Sequence, residues 1–270
     1  MGQNGGCQSV GELGPETRAF YQRTLSALNA AQVPFLVGGA YALARYTGVV
    51  RHTKDLDVFV RRSDCPRLLR ALTRAGCRTD LAFPHWLAKA FCGDDYVDVI
   101  FSSGNGVAAV DDGWFVHAVP DEVLDIPVRL CPVEEMIWSK AFIMERERFD
   151  GADVVHLLRA RAEDLDWPRL LGRFDAQWRV LLTHLILFGF VYPGERARIP
   201  TAVLRELLGR LEGELDRSAP DERICQGTVL SRAQYRPDIQ QWGYRDARRW
   251  PEGNMTSDEI ALWTAAIDEE

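Results

Sequence analysis

Apolar and polar positions change period along the chain, and each change marks an element. In residues 15–32, Phe20, Leu25 and Leu28 share one helical face, and Pro15 sits in the first turn. Residues 34–37 are a short apolar run, too short for a helix and stopped by Gly38 and Gly39, so they read as a buried strand. Residues 40–46 return to helical spacing. From 55 to 60 the period becomes two, with Leu56, Val58 and Val60 alternating with Asp55, Asp57 and Phe59, as in a strand. Asp64 and Pro66 open a further helix that ends at Gly76. Residues 86–92 and 96–101 are apolar runs flanking Gly93-Asp94-Asp95, which predicts a hairpin. Residues 121–133 alternate again and predict an edge strand, since Pro127 cannot donate to a ladder. A helix is expected from Glu134 to about Glu147, with Met136, Ile137, Phe142 and Ile143 on its inner face.

After Gly151 the strand signals stop, and successive helical patterns run to the C-terminus. Residues 180–191 are very apolar but too short to span a bilayer, so they read as the central helix of a bundle. His156 and His184 lack a ligand pattern and read as helix histidines near the core. A closing helix starts at Thr256 or Ser257. The fold class is therefore α/β (α+β), a mixed β-sheet with flanking helices followed by a mainly helical region. The expected division is a disordered terminus at 1–14, an α/β domain at 15–150 and a helical domain at 151–270. The Gly-, Gln- and Ser-rich residues 1–14 have no apolar core for a signal peptide.

Composition narrows the function classes. The 270 residues are 47% hydrophobic and 26% charged, ordinary for a globular chain. The net charge of −7 argues against duplex DNA, which demands a basic surface. Six cysteines at 7, 65, 77, 92, 131 and 225 form no C-x-x-C, and Cys92 and Cys131 have apolar neighbours, so reduced thiols in a cytoplasmic protein are expected and a zinc site is not.

The chemistry gathers on the strand at 55–60. Asp55 and Asp57 point to one face, roughly 6.5–7 Å apart along the chain. Like charges so placed need a positive neighbour, and a hard divalent cation such as Mg²⁺ (or Mn²⁺) supplies it. The plainer reading is a charged edge strand that guards against aggregation. Asp98, inside the apolar run 96–101, is a third carboxylate. A buried strand does not carry a charge without a partner, and if the two strands are neighbours three carboxylates converge. Gly38 and Gly39 lie where a strand meets a helix, which suits a tight turn and equally a phosphate held at the helix N-terminus.

Gly38-Gly39, the following helix, Arg51-x-Thr53, Asp55-x-Asp57 and the later Asp98 together resemble the nucleotidyltransferase superfamily related to DNA polymerase β. The nearest branch is the bacterial one holding AbiEii-type toxins, minimal nucleotidyltransferases and lincosamide adenylyltransferases. Lys140 with Arg146, Arg148, Asp150 and Asp153 continues the likeness, which spans about residues 31–158. The interval from Gly39 to Asp55 is longer than is usual there. The resemblance implies a metal-dependent transfer of an NMP group from a nucleoside triphosphate such as ATP to a hydroxyl, with release of pyrophosphate. It implies Asp55, Asp57 and Asp98 as catalytic and metal-binding residues, and Gly38, Gly39, Arg51, Thr53 and Lys140 at the nucleotide. Read from the sequence alone, Lys140 is a snorkelling surface lysine; the resemblance sets the phosphate ligand beside that reading. The acceptor is a small molecule, a protein hydroxyl or an RNA end; no membrane partner is expected.

Other readings share parts of this pattern. A haloacid-dehalogenase phosphatase would follow Asp-x-Asp with Gly-Thr, where this chain has Val58-Phe59. A metal-dependent glycosyltransferase leaves the glycine pair unexplained. An antitoxin-like or regulatory protein of the same fold, or a toxin-type enzyme acting on tRNA, remains open. Residues 224–250 interleave Tyr235, Trp242, Tyr244 and Trp250 with Arg232, Arg236, Arg245, Arg248 and Arg249. Such a segment stacks bases and binds phosphate, or packs as an arginine-rich layer.

Overall fold

Through its third helix the α/β half is laid down in the order the periodicity predicts. In the computed structural model, which describes residues 13–51, 53 and 55–267, α1 (Pro15–Ala30) buries Phe20, Tyr21, Leu25 and Leu28. Residues 1–12 of the expected disordered terminus, including Cys7, lie outside the described residues. The first strand, β1 (Leu36–Val37), is only two residues long and fully buried. It runs directly into α2 (Gly39–Thr47), which Gly48 ends in the left-handed conformation that L side chains resist. β2 (Leu56–Phe59) follows with the alternating burial its sequence requires.

Next come α3 (Cys65–Arg74), β3 (Arg78–Phe83), β4 (Leu87–Cys92) and β5 (Asp95–Ile100). Asp64 does not cap α3 with its side chain; it pairs instead with Arg61 at 3.1 Å. The β4–β5 hairpin forms as expected, whereas β3 gave no signal because it is an edge strand with mostly exposed side chains. α4 (Asp112–Val116), capped by the Asp111 carboxylate, leads to the hairpin β6 (Val119–Val123) and β7 (Ile126–Leu130).

The seven strands take the order β3-β4-β5-β2-β1-β7-β6. β2 pairs with β5 in parallel and with β1 in antiparallel, so the sheet is mixed. Pro127 therefore lies on the second strand from the edge rather than at the edge itself. It is tolerated because β1 reaches β7 only at Leu130, so the Pro127 stretch has no strand on that side. The Pro127 carbonyl instead accepts from Asn29 at 2.8 Å.

α5 (Val133–Ala141) is shorter than its pattern predicted. The chain turns at Phe142, Met144 bridges to Phe149, and the Glu145 carboxylate leaves the helix to meet Ser231 and the Arg232 amide. α6 (Gly151–Arg161) packs on α2 and α5, followed by α7 (Trp167–Phe174), α8 (Trp178–Val191) and α9 (Thr201–Leu215). Trp167–Val191 is the one stretch among the described residues long and apolar enough to cross a membrane by length and composition. A tight turn at Asp175–Gln177 divides it, and Leu181, Leu185 and Phe188 are buried. His184 is buried too, with Nε2 against the Ala141 carbonyl at 2.9 Å; burial lowers its pKa.

The C-terminal segment holds a second, parallel strand pair, β8 (Ile224–Cys225) and β9 (Arg245–Asp246), around α10 (Arg236–Gln240). Strands in this region were not foreseen, since two residues are too few to show a period. α11 (Ser257–Ala265) begins with a capping box between Thr256 and Glu259 and sets Trp263 against Phe83, His85 and Trp86. One hydrophobic core runs from Phe20 through Leu207 to Ala247, crossing residue 150 without a break. Cys65, Cys77, Cys131 and Cys225 are buried free thiols. Cys92 is exposed, because it ends β4 beside the hairpin turn rather than packing with its apolar neighbours.

Candidate active site

Parallel pairing of β2 with β5 puts Asp57 directly opposite Asp98. Asp55 lies just before β2, two residues from Asp57 and on the same face. Oxygens of the three carboxylates come within 4.8 Å of one another. The convergence expected from the sequence is thus a consequence of strand order, because β5 returns beside β2 only after the detour through β3 and β4.

Each carboxylate has a distinct environment. The Thr53 hydroxyl donates to Asp55 Oδ1 at 2.5 Å, which fixes the first acid from its own loop. Asp57 is half-buried, and its carboxyl is pushed up to about 7, first by desolvation and then by the charges of Asp55 and Asp98; Lys140 and Arg148 oppose the rise. Asp98 is also raised, again first by desolvation, with Lys89 pulling the other way. Lys89 stands opposite Asp98 on β4, its ammonium 2.8 Å from Asp98 Oδ1 and 4.2 Å from the centre of the Tyr96 ring. This lysine was missed from the sequence. Its place inside an apolar run carried no signal; only the hairpin register exposes it.

The glycines are required by the protein itself. Gly39 has φ +53°, and a Cβ there would collide with Asp57 Oδ2. A Cβ on Gly38 would strike the Phe59 ring. The space these residues leave is filled by Asp57 and Phe59. The Gly38 amide also donates to the Asp57 carbonyl at 3.0 Å, which ties the start of α2 to the strand that carries the acids. Among the described residues no side chain caps α2, so its first amides have no side-chain acceptor there.

Lys140 and Arg51 are both engaged. Lys140 Nζ donates to Asp150 at 2.9 Å and to Asp153 at 2.8 Å, and Arg51 pairs with Asp153 as well. Burial alone would lower the Lys140 pKa, but the two aspartates outweigh it and raise it. Lys140 is neither a snorkelling surface lysine nor a free cation. It clamps α5 to the start of α6, and its field still reaches Asp57. Arg148 is bound to Asp150 at 3.1 Å and acts on Asp57 from the same side.

The arginine and aromatic segment is part packing layer and part exposed surface. Arg248 is buried on Asp246, Arg245 pairs with Glu222 and Glu252, and Arg232 lies over the Trp263 ring. Trp242 and Trp250 remain exposed.

The donor set suits a hard divalent cation. It consists of carboxylate oxygens alone, close enough together for one ion, and the raised Asp57 pKa marks a place where positive charge is favoured.

A sequence comparison matches the aminoglycoside-2''-adenylyltransferase family over residues 22–113, the segment holding both glycines and all three aspartates. Comparison with curated proteins finds no match. Similar solved structures include the antibiotic-resistance factor ANT(2'')-Ia, 16% identical over 64% of this chain and 98% of that one, TM-score 0.43. The lincosamide antibiotic adenylyltransferase LnuA, in its lincomycin-bound structure, is 14% identical over 53% and 95%, TM-score 0.37. An antigenic nucleotidyltransferase-like protein from Paracoccidioides brasiliensis is 14% identical over 70% and 97%, TM-score 0.45. Over residues 22–113 the chain is thus similar to a family of nucleotidyltransferases, and that segment carries its glycine pair and its three carboxylates.

Proposed function

We propose that the protein transfers a nucleoside monophosphate, AMP in the first instance, from a nucleoside triphosphate to a hydroxyl of a small-molecule acceptor. The observation that carries this reading is the in-register pair Asp57 and Asp98 with Asp55 beside it. Asp55, Asp57 and Asp98 are the residues that would hold Mg²⁺ or Mn²⁺. Bound there, the cation would supply charge neutralisation for the triphosphate and its leaving pyrophosphate.

The remaining work falls to this chain's own groups. The open amides at the start of α2 offer hydrogen bonds to phosphate oxygens. Lys140 and Arg148 act on Asp57 from one side and lessen the repulsion an anion would meet at the acidic site, with Arg51 behind them on Asp153. Asp98 Oδ accepts the acceptor's hydroxyl proton, and Lys89, 2.8 Å away, favours the ionised form of that carboxylate. The acceptor oxygen bonds to the α-phosphorus as the bond to pyrophosphate breaks, and the proton leaves Asp98 for solvent.

A small acceptor is favoured over a polynucleotide. The net charge is −7, and Arg232, Arg245 and Arg248 are spent on internal partners. The family match is to an aminoglycoside-modifying group, so polyhydroxylated antibiotics are the first acceptors to try. The test incubates the protein with Mg²⁺, each α-labelled nucleoside triphosphate in turn, and a panel of aminoglycosides, lincosamides and total tRNA. Label on a small molecule supports the reading; label on tRNA alone would replace it with the toxin-type reaction.

A further inference from the structure

α9 carries apolar residues on two adjoining faces. Val203 and Leu207 are buried inward, where α9 packs against α8. Beside them Leu204, Leu208, Leu211 and Leu215 recur at spacings of four, three and four, the period of a coiled-coil seam. Most of that second stripe faces outward: Leu208, Leu211 and Leu215 are 44%, 38% and 78% exposed, while Leu204 is half-buried against the core. Three exposed leucines in register along about 10 Å of helix are a patch, not scattered surface apolars. The neighbouring helix adds Ile186 and Phe190, 60% and 82% exposed and one turn apart.

We propose that this face is a homodimer interface in which α9 of one chain packs antiparallel on α9 of a second copy. The stripe is self-complementary about its midpoint. Antiparallel pairing sets Leu204 against Leu215 of the other copy and Leu208 against Leu211, twice each by symmetry. The charges that flank the outer side of the stripe fit the same arrangement. Arg205 and Glu212 are both exposed and neither has an ion pair within its own chain among those described. In the antiparallel dimer Arg205 meets Glu212 of the second copy, and the pair occurs twice. Parallel packing would instead set Glu212 against Leu207 of the second copy and form no such ion pair.

A lipid surface fits less well. α9 carries Arg205 and Arg210 against Glu206, Glu212 and Glu214, so the helix bears no basic face for anionic headgroups. A single helix pair lies at the small end of stable interfaces, about 1,200 Å² or below, so the dimer is expected to dissociate in the micromolar range.

Sedimentation equilibrium of the full chain tests the idea, and charge reversal supplies its sharpest form. Wild type should show a monomer–dimer equilibrium. Arg205→Glu alone and Glu212→Arg alone should each weaken it tenfold or more. A one-to-one mixture of these two variants should restore it, because in the mixed dimer each of the two cross-chain contacts again joins an acid to an arginine. Leu208→Glu with Leu211→Glu should give monomer, with an unchanged melting temperature showing that the fold survives. Both leucines are exposed, so folding does not depend on them. A wild type that stays monomeric at high concentration overturns the proposal. So does a dimer indifferent to the charge reversals, or a monomer that floats with neutral phosphatidylcholine vesicles. The dimer does not depend on the transferase reading, and its failure would leave that reading untouched.

Discussion

Asp57→Asn separates the energetics of the site from its chemistry. Burial and two neighbouring carboxylates move Asp57 from 3.8 to about 7. At 1.36 kcal/mol for each pH unit, ionising it in the folded chain is disfavoured by about 4 kcal/mol relative to the unfolded chain. The sign follows from linkage. A carboxyl whose folded pKa is raised binds more protons in the folded state, so its contribution is full below pH 3.8 and is lost as pH rises through about 7. Metal-free wild type should therefore lose stability between pH 4 and pH 8 on account of this group, and Asp57→Asn should not. In chelator at pH 8 the variant should be more stable by up to about 4 kcal/mol, a rise of up to about 10 °C in melting temperature for a chain of this size. At pH 4 the two should melt together. Mg²⁺ should raise the melting temperature of wild type and leave the variant unmoved, because binding demands the ionised carboxylate. Thermal scans with and without chelator at the two pH values suffice. A variant no more stable than wild type at pH 8, or a difference indifferent to pH, would refute the argument that Asp57 is held as a strained, cation-seeking charge.

Gly39→Ala should lower stability and metal-dependent transfer together. The positive φ costs about 1–2 kcal/mol, and the new Cβ displaces Asp57 Oδ2; normal activity in a folded variant would contradict it. Lys89→Met should destabilise the fold by about 1–3 kcal/mol and shift the acid limb of the transfer pH profile upward, since Asp98 loses the group that lowers its pKa; an unchanged profile would remove Lys89 from the site. Arg248→Ala should cost about 3–5 kcal/mol by stranding Asp246, while Trp242→Ala should leave melting unchanged; denaturant titrations of both compare buried packing with exposed surface.

The parts of this protein legible in its sequence are those with a local cause. The two-residue period of 55–60 was enough to aim Asp55 and Asp57 together, and Gly93-Asp94-Asp95 announced the hairpin that carries Asp98. The adjacency of β2 and β5 is a property of sheet order and was only conditional until the pairing Asp57–Asp98 was seen. Lys89 was invisible for the same reason, since its partner lies across a strand pair. β3 and the short β8–β9 pair lack a buried face long enough to set a period. The helix at 134–147 was overestimated because Phe142 and Ile143 keep the apolar rhythm. The chain turns there because Glu145 and Asp150 are needed elsewhere, by Ser231 and Lys140. Gly38 and Gly39 were legible as a special turn, but the reason for them was not: they make room for Phe59 and Asp57.

The central claim is that strand pairing alone assembles Asp55, Asp57 and Asp98 into one divalent-cation site. Titration with Mn²⁺, followed by the loss of the free-ion paramagnetic resonance signal at pH 8, tests it directly. The account predicts saturable binding to wild type that Mg²⁺ competes away and that Asp57→Asn and Asp98→Asn each abolish. Equal binding by wild type and the two variants, or no binding to wild type in the presence of a non-hydrolysable nucleoside triphosphate, would contradict it.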